Sequence, residues 1–276
     1  MSGSVFDLQL TSGRVQVSRH GSPQAPLVIL LHGLSAHMHS FDTIIEKFAD
    51  QDLQLVAVDL RGRGRSEITE AGTYGIDAHC RDVLEIATLL GAEQFDLIGW
   101  SMGALIGIGL ASLAPLRLRR LVLIDHAGKM DAGPIEKITK GLERLDVIVD
   151  RPAVYLDAIR LSGSISPWSP FWDNYYRYEL GHYQQGFKPT TSKMACTEDL
   201  NDLMRVDFPA LWKKLAMPTL LIRCLIPVGD GFIVPASERD QLQLAVPSIK
   251  IAEFECDHYS ILNSEHAIES IRGFFN

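Results

Sequence analysis

Four short, mainly apolar runs, each breaking off at a polar or glycine-rich turn, restrict this chain more than any other feature. Leu27–Leu31 stops at His32-Gly33, the run 53–58 stops at Asp59, and 95–98 leads into Gly99-Trp100-Ser101-Met102-Gly103. The fourth, 121–124, ends at Asp125-His126-Ala127-Gly128. A strand with one wet face alternates apolar and polar residues, whereas a strand with no polar position is covered on both faces, as in the interior of a parallel sheet. Helical segments are expected between these runs, over 41–50, over 76–90 with Val83, Ile86, Leu89 and Leu90 on one face, and from Ser101 to about Ala114. Strand alternating with helix implies right-handed crossovers and a doubly wound α/β fold, with a mostly parallel sheet flanked by helices. Residues 1–11 alternate in polarity and read as a first strand.

The rhythm stops after Gly128. Residues 129–217 are richer in charged, aromatic and proline residues and read as several helices, a candidate lid. Alternation then resumes with a strand at 219–223, a helix over 236–245, a strand at 249–254 and a helix over 265–275. The expected organisation is therefore one core domain, 1–128 and 218–276, with a helical lid inserted at 129–217. A chain of 276 residues, 46% of them hydrophobic, has the apolar material for one such core.

The formal charge of −8 and the lack of basic blocks argue against nucleic acid or an anionic membrane as partner. The most apolar internal stretch, 104–115, is too short for the roughly 20 residues that span a bilayer, and no secretory signal is read at the start. The four cysteines, Cys80, Cys196, Cys224 and Cys256, are widely spaced with no CxxC, which suits a reducing cytoplasm better than a disulfide framework or zinc site. The expected partner is a small-molecule substrate, and a homodimer is compatible with this composition.

The chemistry concentrates at Ser101. A serine between an apolar strand and an apolar helix, flanked by Gly99 and Gly103, stands on a sharp turn with its hydroxyl above the sheet edge. The free N–H groups and positive dipole end at the start of the following helix face any oxyanion that develops there. A serine hydroxyl needs a base to take its proton, and histidine is the side chain that titrates near neutrality. Among nine histidines, His258 follows the last expected strand, within Asp257-His258-Tyr259.

Together with His32-Gly33-Leu34 and the stretch Asp59-Leu60-Arg61-Gly62-Arg63-Gly64-Arg65-Ser66, these motifs resemble the α/β-hydrolase superfamily over almost the whole chain. Within it the chain is most similar to small lid-bearing esterases, lactonases and carbon-carbon bond hydrolases. The resemblance implies Ser101 as nucleophile, His258 as base, and an oxyanion hole formed by the backbone N–H groups of Leu34 and Met102. It implies a structural role for the 59–66 stretch, with Arg61 and Arg65 orienting loops. Two residues compete for the acid: Asp230, after the strand where most of the superfamily places it but on a long loop between glycines, and Asp125, at a strand end used by a minority. Asp125 is preferred narrowly, with Asp257 a third choice. The aromatic group Trp168, Phe171, Trp172, Tyr175, Tyr176, Tyr178 and Tyr183 suits either a wall for an apolar or aromatic substrate, with Trp168 and Trp172 as candidate contacts, or the lid's own packing. No metal or organic cofactor is implied, because no ligand cluster or phosphate-binding glycine fingerprint occurs. Ester or lactone hydrolysis leads; carbon-carbon hydrolysis, a cofactor-free oxygenase and a ligand receptor are the alternatives.

Overall fold

The computed structural model describes residues 3–276. Its first strand, β1 (Ser4–Leu10), forms a hairpin with β2 (Gly13–His20), and these lead to β3 (Leu27–Leu31), α1 (Asp42–Lys47), β4 (Gln54–Val58) and α2 (Ile76–Leu89). Then come β5 (Phe95–Trp100), α3 (Met102–Leu113) and β6 (Leu118–Ile124). The expected strand over 1–11 falls on β1, its first two residues lying outside the described ones. The strand β2 is an addition to the expected elements: Arg14-Val15-Gln16-Val17-Ser18 alternates in polarity, and the strand pairs with β1 and β4.

Between β6 and β9 (Thr219–Cys224) the chain forms α4 (Ala132–Gly141), α5 (Pro152–Leu161), α6 (Pro170–Glu179), a hairpin of β7 (Leu180–Tyr183) and β8 (Gly186–Pro189), α7 (Lys193–Leu203) and α8 (Phe208–Trp212). The hairpin departs from the all-helical reading of this segment. Prolines open α5 and α6 at the position where a helix has no use for the missing N–H, and the Ser192 hydroxyl caps α7 by accepting from the Ala195 N–H. The chain closes with α9 (Ala236–Ala245), β10 (Lys250–Phe254) and α10 (Glu265–Phe275).

The main sheet has the order β1-β2-β4-β3-β5-β6-β9-β10, parallel from β4 to β10 with β2 antiparallel to both its neighbours. Every residue of β3, β4, β5 and β9 is buried, and alternate residues feed two cores. Ile29, Leu31, Val56 and Val58 face α2 and α3 through Val83, Ile86, Leu105 and Ile106; Val28, Leu30, Leu55 and Ala57 join Ile44 of α1 and Ile268 and Ile271 of α10. This two-sided burial accounts for the mainly apolar runs, and the charged exception, Asp96, is buried against Arg119 and Arg120. Trp172, Tyr175 and Tyr176 of the 129–217 segment extend the second core across Trp100.

Strand order reverses between β3, which leads outward to β4, and β5, which leads the other way, so their C-terminal ends border the crevice where open α/β sheets bind ligands. Glycine makes close packing possible here. A Cβ on Gly103 would stand 2.0 Å from the Leu31 carbonyl oxygen, and one on Gly99 would stand 2.2 Å from that of Gly103. Gly103→Ala is therefore expected to cost about 1–3 kcal/mol, the usual range for overpacking, because rigid backbone rather than a flexible side chain must yield. Urea unfolding measures it, and an unchanged midpoint refutes the close-packing argument.

Candidate active site

Ser101 ends the chain's passage from β5 into α3 with φ 56° and ψ −120°. Among the described residues, it and Asp125, with φ 47°, are the non-glycine residues with left-handed backbone. Such backbone costs on the order of 1–3 kcal/mol per residue and persists where surrounding structure imposes it. At Ser101 the imposition is visible: its N–H donates to the Ile124 carbonyl at 2.9 Å, and the glycine contacts above press α3 onto β5 and β3. Gly33, after β3, lies against the Ser101 Cβ.

Asp125 follows β6, with its N–H bonded to the Ile222 carbonyl of β9 at 2.8 Å. One carboxylate oxygen accepts from the Cys224 N–H at 2.9 Å, and the other lies 2.8 Å from His258 Nδ1. Burial opposes ionisation of this carboxyl, but the His258 hydrogen bond and charge and the Cys224 N–H outweigh it and hold it below the ordinary carboxylate range. His258 comes from the loop after β10, and its carbonyl accepts from Trp100 Nε1 at 3.0 Å while the two rings lie 5.2 Å apart. Ser101, His258 and Asp125 are 8%, 5% and 2% exposed, so all three are buried.

Neither alternative acid reaches His258. Asp230 is exposed, and its Oδ1 abuts Gly133 at the first turn of α4, where a carboxylate complements the helix dipole. Asp257 accepts from the N–H groups of Tyr259 and Ser260, both at 2.8 Å, and caps the short turn that follows.

The backbone N–H groups of Leu34 and Met102 make no hydrogen bond among the described residues. The peptide carrying the Leu34 N–H is fixed from its other end. The Gly33 carbonyl lies 2.7 Å from His32 Nδ1 and accepts from the Ala36 N–H at 3.2 Å. His32 Nε2 in turn accepts from the Leu60 N–H at 3.0 Å. Burial pushes the His32 pKa down to about 3, so the ring is neutral, with Nδ1–H as donor. His32 is thus a brace for the Leu34 amide.

The 59–66 stretch ties loops together as expected, but with one more arginine than expected. Arg61 pairs with Asp82 through two contacts of 2.6 Å, and Arg65 donates to the Tyr178 and Leu180 carbonyls. Arg63, fully buried, donates to the Leu34 carbonyl at 2.9 Å. Its only signal in the sequence was its place in that motif. Trp100, in an unrestricted position of the serine pentapeptide, carries no local signal of its contact with the His258 loop.

Of the two candidate substrate contacts, Trp172 is 4% exposed and packs edge-on against Phe171 and Tyr175. Trp168 stacks on Tyr176 at 5.8 Å, with the Arg160 guanidinium over its ring and a buried indole N–H that has no protein partner. Arg160 and Arg177 both pair with Asp173, and Lys193 pairs with Glu143.

A strained serine, a histidine backed by a buried carboxylate and two free amides are the parts that nucleophilic attack on a carbonyl requires. The sequence profile described as the alpha/beta hydrolase fold matches residues 26–264. The chain belongs to the α/β-hydrolase family. This α/β hydrolase is 35% identical over 127 residues to the 3-hydroxybutyrate-oligomer hydrolase of Cupriavidus necator, a match covering 45% of the chain and 43% of that relative. It is 33% identical over 117 residues to the esterase Rv0045c of Mycobacterium tuberculosis, covering 42% of the chain and 38% of the relative. These matches thus span well under half of either relative's length. Among solved structures, it shares its fold with E-2-(acetamidomethylene)succinate hydrolase at TM-score 0.88 and 20% identity, over 99% of both chains. No helix among the hydrolase's described residues is long and apolar enough to cross a membrane.

Proposed function

We propose that this protein hydrolyses a carboxylic ester or lactone of a small apolar or aromatic compound through an acyl-enzyme on Ser101. The observation that carries this reading is the 2.8 Å contact between His258 Nδ1 and Asp125 Oδ2. It commits Nδ1 as the donor and leaves Nε2 as the basic nitrogen, the tautomer that accepts a serine proton. Ser101 attacks the carbonyl carbon while His258 takes the hydroxyl proton. The resulting oxyanion is held by the Leu34 and Met102 amides. His258 then protonates the departing alkoxide, and a water deprotonated by His258 cleaves the acyl-enzyme, returning free serine and releasing the acid. Asp125 stays ionised throughout and stabilises the imidazolium. Residues 129–217 serve as the lid, whose Trp172, Tyr175 and Tyr176 pack in the same buried cluster as Trp100.

The test is covalent. A p-nitrophenyl alkylphosphonate is expected to abolish p-nitrophenyl acetate hydrolysis with one phosphonyl group per chain, located on Ser101 by peptide mass spectrometry. Phosphonylation of another residue, or full hydrolysis after Ser101 is blocked, overturns the assignment.

A further inference from the structure

A buried charge network joins the 129–217 segment to the backbone of Leu34. Arg63 is 0% exposed; its Nε donates to the Leu34 carbonyl at 2.9 Å and its Nη1 to the Arg61 carbonyl at 3.0 Å, while Nη2 forms an ion pair with Asp199 Oδ2 at 2.6 Å without hydrogen-bond alignment. Asp199 lies on α7 and is 1% exposed. Its carboxylate also meets His79 Nε2 at 3.0 Å and accepts from the Gly75 N–H at 2.7 Å. One turn earlier on α7, the buried thiol of Cys196 donates to the same Leu34 carbonyl at 3.3 Å.

The geometry fixes Leu34 from both sides. The peptide before its Cα, which carries the Leu34 N–H, is braced by His32 and Ala36 through the Gly33 carbonyl. The peptide after its Cα is braced by Arg63 and Cys196 through the Leu34 carbonyl. With both planes held, the direction of the Leu34 N–H is set. A lone guanidinium inside protein is costly, and among the described residues Asp199 is the carboxylate paired with Arg63. Asp199 therefore decides whether Arg63 stays in place.

We infer that Asp199 is a positioning residue for oxyanion stabilisation, acting through Arg63 on the Leu34 amide, so that α7 is part of the catalytic apparatus as well as of the cover. This rests on the Ser101 mechanism proposed above. Aim matters because a misplacement of about 1 Å costs on the order of 100-fold in rate, and loss of one oxyanion donor costs about 100- to 1000-fold. The oxyanion exists in the transition state and not in the bound ester, so the loss falls on kcat rather than KM.

The experiment compares Asp199→Asn with Asp82→Asn in the full chain. Asp82 pairs with Arg61 at 5% and 7% side-chain exposure and does not touch Leu34, and so reports the structural cost of breaking a buried ion pair here. For Asp199→Asn the expected result is a kcat for p-nitrophenyl acetate reduced about 10- to 100-fold with KM little changed. Inhibition by an aryl trifluoromethyl ketone, whose serine adduct bears an oxyanion, should weaken by a similar factor. Asp82→Asn should lower Tm as much and leave kcat and inhibition near wild type. Equal losses of kcat in the two variants, or an unchanged kcat in Asp199→Asn, overturn the inference. If Asp199→Asn does not fold, Arg63→Lys decides, since it keeps a cation facing Asp199 but removes the Nε donor to the Leu34 carbonyl: a lower kcat at constant KM supports the inference, and an unchanged kcat overturns it. Failure of the Ser101 reading is distinguishable, since it appears as a missing phosphonate adduct on the wild-type chain.

Discussion

Ser101→Ala is expected to lose roughly 10⁴- to 10⁶-fold in kcat toward an aryl acetate while its Tm stays close to that of the wild type. The two expectations have separate origins. Activity falls because the acyl-enzyme has no atom to form on, and the residual rate is what oriented water, His258 and the two amides supply. Stability holds because alanine keeps the Cβ, and with it the left-handed strain at φ 56°. Ser101→Gly is equally inactive but melts higher than Ser101→Ala, since glycine adopts that conformation without strain worth about 1–3 kcal/mol elsewhere. Steady-state kinetics and calorimetry on the two variants check both points. Ser101→Ala retaining activity within an order of magnitude of wild type defeats the nucleophile assignment, and equal melting of the two variants defeats the strain argument.

Asp125→Asn is expected to lower kcat by about 10⁴-fold, and Asp230→Asn to leave it near the wild-type value. The asparagine fits the space and still accepts from the Cys224 N–H, so the fold survives. What changes is the proton inventory. An amide NH₂ facing His258 Nδ1 favours an unprotonated Nδ1, which places the ring's proton on Nε2 and removes the lone pair that accepts from Ser101. The imidazolium also loses its counter-charge in a buried site. Asp230, exposed beside the first turn of α4, touches none of this. The opposite ranking in kcat, with Asp230→Asn severe and Asp125→Asn mild, places the acid on the loop after β9 instead.

Much of the fold is legible in the chain because parallel strands buried on both faces have a local signature. Leu27–Leu31, 53–58, 95–98 and 121–124 each fall within or nearly on a central strand. The helices α9 and α10 fall on the ranges expected for them where strand and helix resume alternating. What escaped has a physical reason in each case. The strand β2 has only a five-residue alternation, Arg14 to Ser18, close behind β1, and the β7–β8 hairpin sits in a segment whose aromatic density masks alternation. Arg63 and Asp199 are charged residues at 0% and 1% exposure. Charged side chains are normally solvated, and nothing in the local sequence distinguishes a pair that meets across 136 positions from two that face water.

The amino-acid order by itself determined the doubly wound class and the place of Ser101, because both depend on neighbours a few residues away: an apolar strand, two glycines and an apolar helix. It narrowed the partner of His258 to a short list, with Asp125 narrowly ahead of Asp230. Tertiary structure made that selection among the carboxylates. The strand order β5-β6-β9-β10 brings the ends of β6 and β10 to one edge, where His258 meets Asp125 across 133 residues of chain, while the loop after β9 carries Asp230 toward α4. A contact of that range depends on which strands lie side by side, and strand order is a property of the assembled sheet rather than of any stretch of sequence.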